Sequence, residues 1–145
     1  FNDKQRTSAL VSLCSILNIL LPEAQPNKKI YELYEKLINS FNLDNWIILY
    51  ILFELNLIKE LGYDTNLSIY KSDENGSNML KVIKIDGYDY EVPKYLINQE
   101  IPEKLTSPLI RKSLLFTRNI LLNKFFIPNN LRLPSSRIIL ENYFN

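Results

Sequence analysis

Seven basic residues and no acidic one lie between positions 104 and 140: Lys104, Arg111, Lys112, Arg118, Lys124, Arg132 and Arg137. Residues 1–103 carry 10 Lys and Arg against 15 Asp and Glu, so a net charge of +1 conceals a basic last third. Such a run of cations suggests an anionic partner. Phosphate binding also asks that the cations share an accessible face with polar or aromatic neighbours. Arg111 and Arg118 are seven apart and fall on one face of a helix. Lys112 and Lys124 lie on the same stretch, with Asn119 and Asn123 among them, and Arg132 and Arg137 follow. Arg111, Lys112, Arg118, Lys124, Arg132 and Arg137 are the candidate contacts to nucleic acid or an acidic peptide. The competing reading is a solvated face whose charges pair with the acidic part of the chain. Lys71, Lys81 and Lys84 can extend the surface or protect a strand edge.

Other chemistries find little support. There is no histidine, which removes Ser-His-Asp and Cys-His catalysis and every His-based metal site. The single Cys14 rules out a disulfide framework and a thiolate cluster, and suits a reducing compartment. Its apolar neighbours Leu13, Ile16 and Leu17 predict a buried structural thiol. Glu54 borders a long apolar run. It is either an acid raised by burial or the partner of an Arg, a Lys or a free backbone N–H from a neighbouring element. Asp73-Glu74 and Asp86-Asp89 sit in or beside turns without a ligand pattern. The glycines are isolated, so no phosphate-cradling loop exists. Function by binding, without enzymatic turnover, is the expectation.

These residues must be positioned by helices. Trp46 to Phe53 is apolar without interruption. A helix that is apolar all round is buried, and this one is too short to span a bilayer. Asp44 or Asn45 can cap its start and Gly62 can end it. The spacing of apolar residues predicts further helices at about 7–21, 28–41, 107–126 and 135–143, around the central one at about 44–61. Asn27 can cap the second, and Thr106 with Pro108 can open the fourth. Ser135 or Ser136 can cap the last. Pro22 and Pro26 mark a connector, and 73–78 reads as a polar loop. Asp86-Gly87 between strand-like runs predicts a β-hairpin at about 79–92, because a type I′ turn needs positive φ twice. The fold expected for 1–145 is a single mainly α domain: a helical bundle around a buried central helix with a small β-hairpin insertion.

Read in order, these segments resemble a known family. FELNLIKELGYDTNLS (53–68) is similar to the helix and Gly-Tyr turn of the RecO family of bacterial DNA-repair recombination mediators. ALVSLCSILNILLPEAQPNKKIYELYEKLINSF (9–41) fits the two helices before it. LLFTRNILLNKFF (114–126) and LPSSRIIL (133–140) fit the family's closing helices. The chain starts where the family's N-terminal OB-fold domain would end, so that domain is expected to be absent. Many members carry a cysteine zinc module after the Leu-Ser turn. Here Tyr70 takes the first cysteine's place, so the resemblance implies a zinc-module-like region without zinc, held by packing, and no cofactor.

The resemblance also implies a cytoplasmic, nucleoid-associated bacterial protein with no membrane contact. Its partners would be single- and double-stranded DNA, the acidic C-terminal tail of single-stranded-DNA-binding protein, RecR and, indirectly, RecA. Its role would be strand annealing and RecA loading. Arg111 and Arg118 beside Leu114 and Leu115 would offer the tail an apolar notch rimmed by cations. The alternative is a helical protein–protein interaction domain that does not bind nucleic acid.

Overall fold

The computed structural model describes residues 3–21, 27–71 and 79–145. The connector prolines Pro22 and Pro26 and the loop with Asp73-Glu74 lie outside the described residues. The helices are α1 (Asp3–Leu20), α2 (Lys28–Ile38), α3 (Trp46–Glu60), α4 (Lys94–Asn98), α5 (Ser107–Leu121) and α6 (Ser135–Asn142). Strands β1 (Leu80–Ile85) and β2 (Tyr88–Pro93) stand between α3 and α4 as an antiparallel pair. The protein is thus mainly α with one small hairpin. No helix among the described residues is long and apolar enough to cross a membrane.

α3 is the buried rod expected from its composition. Ile48, Tyr50, Ile51, Leu57 and Ile58 lose essentially all exposure, and Glu54 goes under with them. It packs between α2 and α5, and α1 pairs with α6. Gly62 ends α3 by closing a Schellman turn at φ +104°. Its N–H donates to Lys59 O at 3.0 Å, and the Tyr63 N–H donates to Ile58 O at 3.1 Å. A second rod went unforeseen: beyond its first turn, α5 has no exposed residue, whereas α3 exposes Asn56 and Lys59. Its Ile110, Leu114, Phe116, Ile120 and Leu121 join the same core.

Local signals hold where a side chain reaches a free backbone donor. Asn27 accepts from the Ile30 N–H at 3.1 Å and Thr106 from the Leu109 N–H at 3.3 Å, with Pro108 in the first turn of α5. Two caps fail. Asn45 occupies the cap position of α3 without a side-chain bond, and α6 starts after Pro134 with no capping by Ser135 or Ser136. Cys14 is also corrected. The buried stripe of α1 is Ala9, Ser12, Leu13 and Ile16, which turns Cys14 to solvent.

The hairpin forms as expected. Ile85 pairs with Tyr88 across a two-residue turn with φ +50° at Asp86 and +85° at Gly87. Ile83, Ile85, Tyr90 and Val92 face the core, while Val82, Lys84, Asp89 and Glu91 face out. Three short elements were not foreseen: a 3-10 turn at Leu67–Tyr70, the five-residue α4, and a π turn at Leu122–Phe126 that continues α5. Pro128 sits one turn later, in a 3-10 turn ended by Asn130 in the left-handed conformation.

Candidate nucleic-acid interface

Helix α6 delivers Arg137 and Glu141, four residues apart, into the seam between α3 and α5. Arg137 has no solvent exposure at all. Its Nε donates to Glu54 Oε2 at 2.7 Å and its Nη2 to Glu54 Oε1 at 2.9 Å, a bidentate pair. Nη1 donates to Glu141 Oε1 at 3.1 Å, and Nη2 also reaches Leu114 O at 2.9 Å and Thr117 Oγ1 at 3.1 Å. The Thr117 hydroxyl donates to Glu54 Oε1 at 2.6 Å and the Tyr50 hydroxyl to Glu54 Oε2 at 2.9 Å. Tyr50 has only one proton to give, so in the 2.7 Å bond between them Ser12 is the donor. The network therefore runs from α1 through α3 and α5 to α6.

Electrostatics support this arrangement. Burial works against the Arg137 charge, but the Glu54 carboxylate beside it prevails and holds the guanidinium protonated. Burial pushes the Glu141 carboxyl above its ordinary value, against the pull of Arg137 and Arg118. Burial and then Glu54 push the Tyr50 hydroxyl far up, so it stays a donor. Glu54 meets its partner from a neighbouring element, as expected. Arg137 does not meet its expected one. Its donors are spent inside the core, and it is not available to a phosphate.

The other five candidates are nearer the surface. Arg118, about a quarter exposed, donates from Nη1 to Glu141 Oε2 at 2.8 Å. Arg111 lies on the same face of α5, as its spacing predicts. Lys112 bridges to Glu91 of β2 at 3.1 Å, with both side chains about half exposed. Lys124, in the π turn, pairs with Asp86 at the hairpin tip and lies over the Tyr63 ring, 4.4 Å from its centroid. Arg132 is exposed on the segment before α6. Of the hairpin lysines, Lys81 donates to Tyr70 O at 3.0 Å, and Lys71 and Lys84 are exposed. The apolar notch expected at Leu114 and Leu115 is not formed, because Leu114 is core and Leu115 is half-buried. The cations thus divide by depth. The core pair is fixed, whereas a surface pair such as Lys112–Glu91 is worth about 0–1 kcal/mol and yields readily to an incoming anion.

Tyr63, Asp86 and Lys124 form a clasp that the sequence pattern did not announce. The Tyr63 hydroxyl donates to Asp86 Oδ2 at 2.9 Å, tying the Gly-Tyr turn to the hairpin tip. The hydrogen bond from Lys124, then that from Tyr63, hold the Asp86 carboxyl below the usual carboxylate range. A depressed carboxylate stabilises above its unfolded value, about 3.9, and its contribution fades as pH falls through the lower folded value. Asp86→Asn keeps a residue suited to positive φ. Its urea midpoint should lie below that of the parent at neutral pH and converge with it as the pH falls below about 4. Parallel curves over the whole range would show that the clasp adds nothing.

The hairpin offers no thiolate or imidazole donors to zinc, and no described group of His, Cys, Asp and Glu is arranged to hold a metal. Tyr70 stands in that region with its hydroxyl 3.5 Å from Lys84 O.

Comparison with known proteins bears on this architecture. The profile of the family described as recombination protein O C terminal matches residues 2–68, which carry α1, α2, α3 and the Gly-Tyr turn. A DNA repair protein RecO from Ehrlichia chaffeensis is 33% identical over 79 residues, covering 53% of this chain and 32% of the relative. That of Rhodospirillum centenum is 28% identical over 61 residues, 42% of this chain and 24% of the relative. That of Cereibacter sphaeroides is 25% identical over 68 residues, 47% of this chain and 29% of the relative. The matched stretch thus spans about a third or less of each of these relatives. No solved structure matches. The match through the central rod and its Gly-Tyr turn makes residues 2–68 of the chain similar to the C-terminal part of the RecO family.

Proposed function

We propose that the chain serves DNA repair by recombination as a binding module that performs no turnover of its own. The observation that carries this reading is the match of the α1–α3 unit to proteins named for DNA repair. Single- or double-stranded DNA meets the surface cations Arg111, Lys112, Arg118, Lys124 and Arg132. The acidic tail of single-stranded-DNA-binding protein competes for the same charges. RecR is a further partner, and annealing and RecA loading are the outcome, in the cytoplasm at the nucleoid. Phosphate contacts make affinity fall linearly with the logarithm of salt. In a salt titration with single-stranded DNA, Lys112→Ala and Arg132→Ala should each lower the slope by about 0.7. A slope unchanged in both, and in a charge reversal of Arg111 with Arg118, would remove the nucleic-acid assignment.

A second reading is a protein-interaction domain without DNA contact. It is favoured by Ile138 and Ile139 on α6, which are 43% and 50% exposed. It predicts binding to a protein partner that barely changes with salt, and no binding of DNA.

A further inference from the structure

Three tyrosines are exposed among the described residues: Tyr31, Tyr88 and Tyr143. Tyr31 meets the Glu35 carboxylate of its own helix, an anion that would repel a strand of phosphates. Tyr143 follows the exposed Ile139 by one turn, on the apolar outer face of α6. Of the three, Tyr88 stands beside the basic third. It lies two residues past Asp86, whose carboxylate takes Lys124. Along β2, Tyr88, Tyr90 and Val92 share the core side of the strand. Tyr90 and Val92 are buried there, whereas Tyr88, at the hairpin tip, is 55% exposed. From the core outward the rings run Phe116, Tyr90, Tyr88, with centroids 5.9 Å and then 6.5 Å apart. The planes of Tyr88 and Tyr90 are tilted by 53°, so Tyr90 backs the outer ring without stacking on it. The row thus ends in an aromatic surface open to solvent.

That ring stands on a fixed base. Lys124 and Tyr63 hold Asp86 at the tip, and the Asn123 amide holds Tyr90, the next residue on the same face. A tyrosine has two side-chain torsions, so a ligand that immobilises it loses little entropy. The neighbouring acids do not oppose an anionic strand. Asp86 is paired with Lys124, and Asp89 points to the opposite face of the hairpin, across from Lys84. An aromatic surface beside cations suits single-stranded nucleic acid, whose bases stack on the ring while its phosphates meet the charges. We propose that Tyr88 is a base-stacking residue that takes one unpaired base and gives the surface a preference for single strands over duplex. This rests on the DNA-binding reading above and adds to it a contact with a base instead of a phosphate.

The test compares a single-stranded oligothymidylate with an abasic strand of the same length, which has the same phosphates and no bases. Fluorescence anisotropy of the labelled strands follows their binding to the intact chain. Tyr88→Leu should weaken oligothymidylate binding about tenfold, the loss of one stacked base, and leave the salt slope unchanged. Tyr88→Phe keeps the ring and should bind as the parent does, since the Tyr88 hydroxyl bonds to no described residue. The abasic strand, and likewise a blunt duplex, should bind the parent and Tyr88→Leu equally. Should Tyr88→Leu hold oligothymidylate as tightly as the parent, the stacking is overturned and the DNA reading stands. An equal loss for the abasic strand or the duplex would also overturn it. If the parent binds none of these nucleic acids, the DNA reading and the stacking fall together. If Tyr88→Leu does not fold, NMR of the parent decides. Oligothymidylate should move the Tyr88 ring protons upfield and the abasic strand should not, and ring protons unmoved by bound oligothymidylate would overturn the proposal.

Discussion

Arg137→Met should destabilise the protein by about 3–5 kcal/mol, because it strands the buried Glu54 carboxylate without its counter-ion. On a chain of this size that lowers the melting temperature by roughly 10–20 °C. It also takes away a large part of the 5–15 kcal/mol typical of a whole domain. Glu54→Leu should cost a comparable amount, since Arg137 then keeps only Glu141, a backbone carbonyl and a hydroxyl. The double variant should be far less damaged than the two losses added together. Replacing both ions by apolar groups removes the desolvated charges along with their attraction. Thermal or urea unfolding of the four proteins closes the cycle. A single variant within about 1 kcal/mol of the parent would mean that the pair is not the inter-helix lock described. The folded double variant also separates two roles for Arg137. As a core residue, its loss leaves the salt dependence of DNA binding unchanged. As a phosphate contact, its loss would lower the slope by about one unit.

That pair shows where sequence patterns stop being informative. Composition reveals α3, because eight apolar residues in a row leave no surface face, and it reveals the Asp86-Gly87 hairpin, because few dipeptides tolerate two positive φ angles. Both signals are local. Whether an arginine is a surface contact or a core ion is decided by what faces it, and Glu54 stands 83 residues before Arg137. The Arg137-x-x-x-Glu141 spacing was a clue that the cation had a partner on its own helix. Glu141 lies one residue past the acid-free stretch and so escaped notice. Seen in space, the basic third draws its carboxylates from α3, from the hairpin and from α6. Pairing of a solvated face with the acidic part of the chain, the competing reading, therefore describes Lys112 and Lys124, whereas Arg118 pairs with Glu141 of α6 and Arg137 meets Glu54 inside the core. Among the described residues, Arg111 and Arg132 have no such carboxylate. α4 and the π turn were missed for a different reason, since five residues are too few to display a period. Cys14 was misplaced because α1 has more apolar residues than its buried stripe can take in.

Phe116→Ala should cost about 3–5 kcal/mol and release the hairpin before the bundle. Phe116 is buried on α5 with its ring against Tyr90 of β2, centroids 5.9 Å apart and planes at 82°. Such an edge-to-face pair adds about 0.5–1.5 kcal/mol to the area that it buries. Two strands alone are marginal in water, so the hairpin depends on this contact and its neighbours for its place. The Tyr90 hydroxyl accepts from Asn123 Nδ2 at 2.8 Å, fastening the same strand to the π turn. Tyr90→Phe deletes only that bond and should cost about 1 kcal/mol. Amide hydrogen exchange distinguishes the effects. In Phe116→Ala, the amides of β1 and β2 should lose protection at denaturant concentrations where those of α3 still keep theirs. If the hairpin instead exchanged together with α3, the two would form one cooperative unit. The loss would then be a cavity in a common core rather than the undocking of a strand pair.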